Sequence, residues 1–96
     1  MLEKLATQFE VASAEYAKHN GIERDRDWFV LKLQEEMGEL TQSWNRSKGR
    51  SAEELSRDLA DETADLLGHI LLFAHQNNLD LATAIERKWL FRPDSD

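Results

Sequence analysis

The chain contains no cysteine. That excludes a disulfide framework, a thiolate zinc site and a cysteine nucleophile. Proline occurs once, at Pro93, and the four glycines stand apart from one another, so little interrupts long helices. No uninterrupted apolar run is long enough to span a bilayer. The opening MLEKLATQFE lacks a basic start followed by an apolar core, so no secretory signal is expected. Basic residues are the minority, 12 Lys and Arg against 19 Asp and Glu, for a net charge of -7. A duplex-binding protein needs a basic footprint, so neither nucleic acid nor a membrane is an expected partner, and a cytoplasmic location is. The acidic balance suits metal cations, or an anionic ligand bridged by a metal. No repeat with a period of about 20–50 residues is present.

What the chain has is helical periodicity. At 96 residues it fits one small domain, residues 1–96, whose modest core invites completion by oligomerisation. Leu2, Leu5, Phe9, Ala12 and Tyr16 recur at steps of three and four, predicting a helix from Leu2 to His19. Asn20-Gly21 ends it. Asp27 is placed to cap a second helix, Trp28 to Arg46, with an apolar stripe of Val30, Leu33, Met37, Leu40 and Trp44. The basic loop NRSKGR follows. SAEE reads as a capping box, Ser51 with Glu54, opening a third helix to Gln76 with the stripe Leu55, Leu59, Leu66, Ile70 and Phe73. Its second half, DLLGHILLFA, is apolar nearly all round, as in a helix buried on every side; a second subunit is expected to supply part of that cover. Asp80 caps a fourth helix, Leu81 to Phe91. No strand is expected. The fold class is all-α, a bundle of four helices. Gly38 and Gly68 each cost about 1 kcal/mol inside a helix, which points to close helix approach there.

The third helix and the second carry a matched acidic pattern. LQEEMGEL holds three glutamates within five residues. With Leu33 as the centre of its stripe, Glu36 lies about 60° to one side and Glu39 about 120°. With Leu59 as centre, Glu62 and Asp65 repeat those offsets with the same hand, about 60° and 120°. Antiparallel packing through the stripes brings both pairs to one seam. Glu62 occupies a place between Leu59 and Leu66 where an extended seam wants leucine. Four carboxylates in one partly buried site repel one another unless something positive compensates, and a hard divalent cation with oxygen ligands does so at least cost. A solvated acidic face is the plainer alternative.

The motif EEMGEL, 22 residues between Glu39 and Glu62, and then ETAD resembles the ExxE…ExxD signature of the MazG-like all-α nucleoside triphosphate pyrophosphohydrolases. The closing KWLFRP resembles that family's Lys-x-x-x-Arg element, here Lys88 and Arg92. The resemblance runs from Trp28 to Pro93. It implies Mg²⁺, with Mn²⁺ as a substitute, held by Glu36, Glu39, Glu62 and Asp65. It implies hydrolysis of NTPs or dNTPs between the α and β phosphates, giving the monophosphate and pyrophosphate, a house-cleaning role, and a homodimer or a dimer-of-dimers tetramer. A carboxylate of the quartet or its neighbour Glu35 is the candidate acceptor of the attacking water's proton.

Other candidate substrate contacts divide between two roles. Lys32, one turn before Glu36, either forms an i, i+4 salt bridge or meets phosphate. Lys88, expected on the inward face of the fourth helix, and Arg92 either meet phosphates or pair with carboxylates. Arg46, Lys48 and Arg50 are further cations in a surface loop. Trp28, Phe29 and Trp44 are the aromatic candidates for the base; Phe29 borders the acidic face, and Trp44 aligns with Leu40 as a core residue. His69 shares a face with Glu62 and Asp65, to bond phosphate or sugar or to sit at an interface. Two other functions fit parts of the pattern. ADLLGH also resembles the phosphoribosyl-ATP pyrophosphohydrolase version of the third helix. A non-catalytic helical oligomerisation or regulatory module needs none of the site chemistry.

Overall fold

Caps set the helix boundaries. In a computed structural model that describes residues 1–93, four α-helices and no strands are present among the described residues: α1 (Leu2–Asn20), α2 (Arg26–Asn45), α3 (Ala52–Gln76) and α4 (Leu81–Trp89). The last three residues of the expected 1–96 domain lie outside the described residues. Gly21 closes α1 in the left-handed region at φ 63°, where a residue without Cβ is unstrained. Ser51 Oγ accepts the Glu54 N–H at 3.1 Å, and Asp80 Oδ1 accepts the Thr83 N–H at 3.1 Å, as their capping positions require. The cap of α2 is Asp25 rather than the expected Asp27: its carboxylate accepts the Trp28 N–H at 2.8 Å. Asp27 falls inside the first turn, where a negative charge still suits the helix dipole. α4 stops at Trp89, short of Phe91, because Leu90 turns left-handed at φ 64°.

α3 is the central element, with α1 and α2 packed against it. α1 runs antiparallel to α3. Phe9 lies against Gly68 so closely that a Cβ built there would stand 2.7 Å from the ring, which explains that glycine. Gly38 has nothing within 4 Å, so close approach within this chain does not explain it. α2 also runs antiparallel to α3, with Trp28 near His69 at one end and Arg50 paired with Asp58 at the other. Arg24 braces α1 to the start of α2. Its guanidinium donates to both carboxylate oxygens of Glu10, at 3.0 and 2.7 Å, and lies over the Phe29 ring at 5.2 Å. The bidentate bond holds the Glu10 carboxyl below its usual range, against the upward push of burial.

The inward face of α2 keeps Leu33 and Leu40 of the expected stripe but turns toward Phe29 and Glu36 and away from Val30, Met37 and Trp44. Phe29 and Glu36 are its buried residues, with Leu33 and Leu40 half-buried. Val30, Met37 and Trp44 are exposed, so Trp44, at 61% exposure, is not core in this chain. On α3, Leu71 and Leu72 are buried while Ile70 and Leu67 are exposed: α1 and α2 cover two sides and leave a third. α4 barely touches the three long helices. Lys88 is accordingly exposed rather than inward, and Trp89, Leu90 and Phe91 are exposed beside it.

The result is a flat layer of 42 × 40 × 22 Å, about two helix diameters thick. Its radius of gyration, 15.3 Å, exceeds the roughly 12.5 Å of a compact chain this long. Its accessible surface, 7376 Å², exceeds the roughly 5,700 Å² of a monomer of this mass. Among the described residues, no helix is long and apolar enough to cross a membrane.

Candidate metal centre

Because α2 and α3 are antiparallel and joined by a short loop, the i, i+3 pairs on each helix face one another across the seam. Glu36, Glu39, Glu62 and Asp65 each offer a carboxylate oxygen, and these oxygens all lie within 4.8 Å of one another. This is the convergence the spacing predicts, with one refinement. Glu36 is at the centre of the inward face, only 6% exposed, while Glu62 is half-buried and Glu39 and Asp65 open to solvent. Glu36 Oε2 and Glu62 Oε2 are buried without a hydrogen-bond partner. A buried acceptor left unpaired costs about 1–3 kcal/mol, more when charged.

The electrostatics follow. Burial, a hydrogen bond with Glu39, and the charges of Glu39 and Asp65 push the Glu36 carboxyl up to about 7, with Lys32 opposing. Near neutral pH Glu36 is thus half-protonated, or ionised only if a cation compensates it. Lys32 Nζ lies 2.8 Å from Glu35 and 3.7 Å from Glu36, so its salt-bridge role is realised within the chain. Burial pulls its ammonium down, but Glu35, Glu36 and Glu39 outweigh that and raise it. Glu35 is held by Lys32, mostly exposed and outside the quartet. One lysine cannot neutralise four carboxylates. The donor set is all oxygen, two ligands per helix, with two faces open to water. That chemistry fits a hard metal cation.

His69 stands beside the quartet, its Nε2 3.7 Å from Glu36 Oε1. Burial, then Lys32, lowers its pKa, so at neutral pH it is uncharged and this contact is no ion pair. Its buried Nδ1 has no partner. Trp28 meets His69 edge-on at 5.9 Å between ring centroids, and Lys32 Nζ stands 5.9 Å from the Trp28 ring. Phe29, a sequence candidate for stacking on a base, is corrected: at 1% exposure its ring is inside the core. Trp28 is the half-buried aromatic at the site. Its spacing was the available signal, since Trp28, Lys32 and Glu36 follow at steps of four on one helical face. Lys88 and Arg92 are not brought to the quartet within one chain. Arg92 pairs with Glu86 at 3.5 Å, and Lys88 makes no ion pair among the described residues.

Searches against protein-family models, curated proteins and solved structures each find no match.

Proposed function

We propose that this chain is a Mg²⁺-dependent (d)NTP pyrophosphohydrolase of the MazG-like kind, releasing a nucleoside monophosphate and pyrophosphate. The observation that carries the reading is Glu36: a buried carboxylate with an unpartnered oxygen, facing three others within 4.8 Å. A non-catalytic helical module offers no reason to hold that arrangement, which weakens the metal-free fold. The motif pattern described from the sequence supplies the reaction class.

Bound Mg²⁺ would neutralise the triphosphate and acidify a nearby water. The chain's own residues do the rest. Glu36 and Glu62, the more buried pair, would hold the ion together with Glu39 and Asp65, which stand at the solvent side. In the reaction, a water oxygen bonds to the α-phosphorus. The bond from that phosphorus to the α–β bridging oxygen breaks, its electron pair leaves with pyrophosphate, and the water's proton passes to a carboxylate of the quartet. Glu35, turned to Lys32, is the weaker candidate for that proton. Trp28 and His69 border the nucleoside end.

A second copy of the chain is part of the proposal. The excess surface, roughly 1,700 Å², is more than the approximately 800 Å² per partner that a stable interface buries. Val30, Met37 and Trp44 of α2 and Leu67 and Ile70 of α3 are the exposed apolar residues it would cover. The proposed location is cytoplasmic, with house-cleaning of nucleotide pools as the role.

The test is pyrophosphate release from a panel of NTPs and dNTPs with Mg²⁺, beside Glu39→Gln and Glu62→Gln. Turnover by the native chain should fall by about a hundredfold or more in each variant. Absence of turnover on every nucleotide would reject the proposal.

A further inference from the structure

At the loop end of the α2–α3 seam, an open cleft of about 450 Å³ adjoins the quartet. Glu39 and Glu62 line it together with Arg46 and Arg50. The helical register explains the placement. Arg46, the residue that closes α2, is seven residues beyond Glu39, about two turns along the helix. Arg50 is held on the α3 side by its salt bridge to Asp58, which lies one turn before Glu62. Arg46 is exposed and makes no ion pair among the described residues. A guanidinium presents a rigid fork of donors suited to two phosphate oxygens at once.

From this we infer that Arg46 and Arg50 bind the phosphates beyond the metal, the pair that leaves as pyrophosphate, and that Asp58 positions Arg50 for it. The inference rests on the proposed metal centre and extends it with a direction: the nucleoside lies toward Trp28 and His69, the phosphate tail toward the loop. It also sets an order of binding. The cleft carries four carboxylates, Glu39, Asp58, Asp61 and Glu62, against two arginines. Without a cation it repels a polyanion; a divalent ion at the quartet reduces that repulsion. Metal therefore binds first.

The experiment uses the full chain and inorganic pyrophosphate. Mn²⁺ binding is measured by electron paramagnetic resonance, then pyrophosphate is titrated calorimetrically into the protein with and without saturating Mn²⁺. The set comprises the native chain, Arg46→Gln, Arg50→Gln, Arg46→Lys, and Lys48→Gln as a loop control outside the cleft. Matching melting temperatures establish that the variants fold. The expected result is Mn²⁺ affinity within about twofold throughout, and pyrophosphate affinity lowered about tenfold or more by each Arg→Gln change. Arg46→Lys should fall between, and Lys48→Gln should leave affinity unchanged. Pyrophosphate should bind only with Mn²⁺ present. Pyrophosphate binding to the Mn²⁺-loaded protein that ignores both arginines overturns this inference and leaves the metal centre standing. Failure of the native chain to bind Mn²⁺ overturns both.

Discussion

α3 meets its two neighbours by opposite means. Against α1 the contact is dry and close, with Phe9 set on Gly68 and Leu71, Ala74 and Ala6 buried nearby. Against α2 the seam is apolar at Phe29 and along the half-buried Leu33 and Leu40, but its middle also carries four carboxylates. One helix thus carries a face that packs through apolar contact and a face whose carboxylates repel one another. The lesson is that stability and the candidate site are separable here, because they occupy different sides of the same element.

That separation can be broken at its anchor. Phe29 is the fully buried side chain that holds α2 down where the carboxylates cannot. Phe29→Ala should cost about 3–5 kcal/mol in chemical denaturation, the largest effect expected of any substitution considered.

The acidic seam should show itself next, in pH dependence. Folded Glu36 keeps its proton up to about pH 7, against 4.5 for an unperturbed glutamate. Between those values the folded state binds more protons than the unfolded one, so stability falls as pH rises. The loss, ~3 kcal/mol as an order of magnitude, should be complete above pH 7 in the metal-free protein. Glu36→Gln should remove that slope and raise metal-free stability at pH 8, while abolishing Mg²⁺-induced stabilisation. A metal-free melting temperature that does not change between pH 5 and 8 would contradict the buried-carboxylate account.

The dry face should respond to volume instead. Gly68→Val drives a branched side chain into the Phe9 ring, and should cost about 2 kcal/mol with no change in Mn²⁺ affinity. That combination sharpens the contrast between the two faces; a loss of metal binding in proportion to stability would erase it. The smallest effect lies outside both. Ser51→Ala removes the cap of α3 and should lower stability by about 1 kcal/mol, read from the denaturation midpoint.

Local rules made much of this legible in advance. Ser51, Asp80 and Gly21 act within one turn of themselves, so their boundaries could be read directly. The quartet was also legible, since i, i+3 pairs on two antiparallel helices meet whenever both lie near the seam. The inward face of α2 was legible only in part. Leu33 and Leu40 of the expected stripe face inward, but Val30, Met37 and Trp44 are exposed and Phe29 is buried in their place, because the packing of α3 chooses which edge of the apolar surface is covered. Glu36 on the chosen face made it look less apolar still. Asp27 was the expected cap, and the structure gives that role to Asp25, whose carboxylate accepts the Trp28 N–H. Lys88 was misplaced because α4 is short and weakly packed, so its periodicity has little to report on.

All four carboxylates of the quartet lie between positions 36 and 65, on one hairpin of two helices. One contiguous stretch of chain therefore encodes the whole geometry: two helices and the loop that joins them set its register, and α1 and α4 contribute none of the four carboxylates.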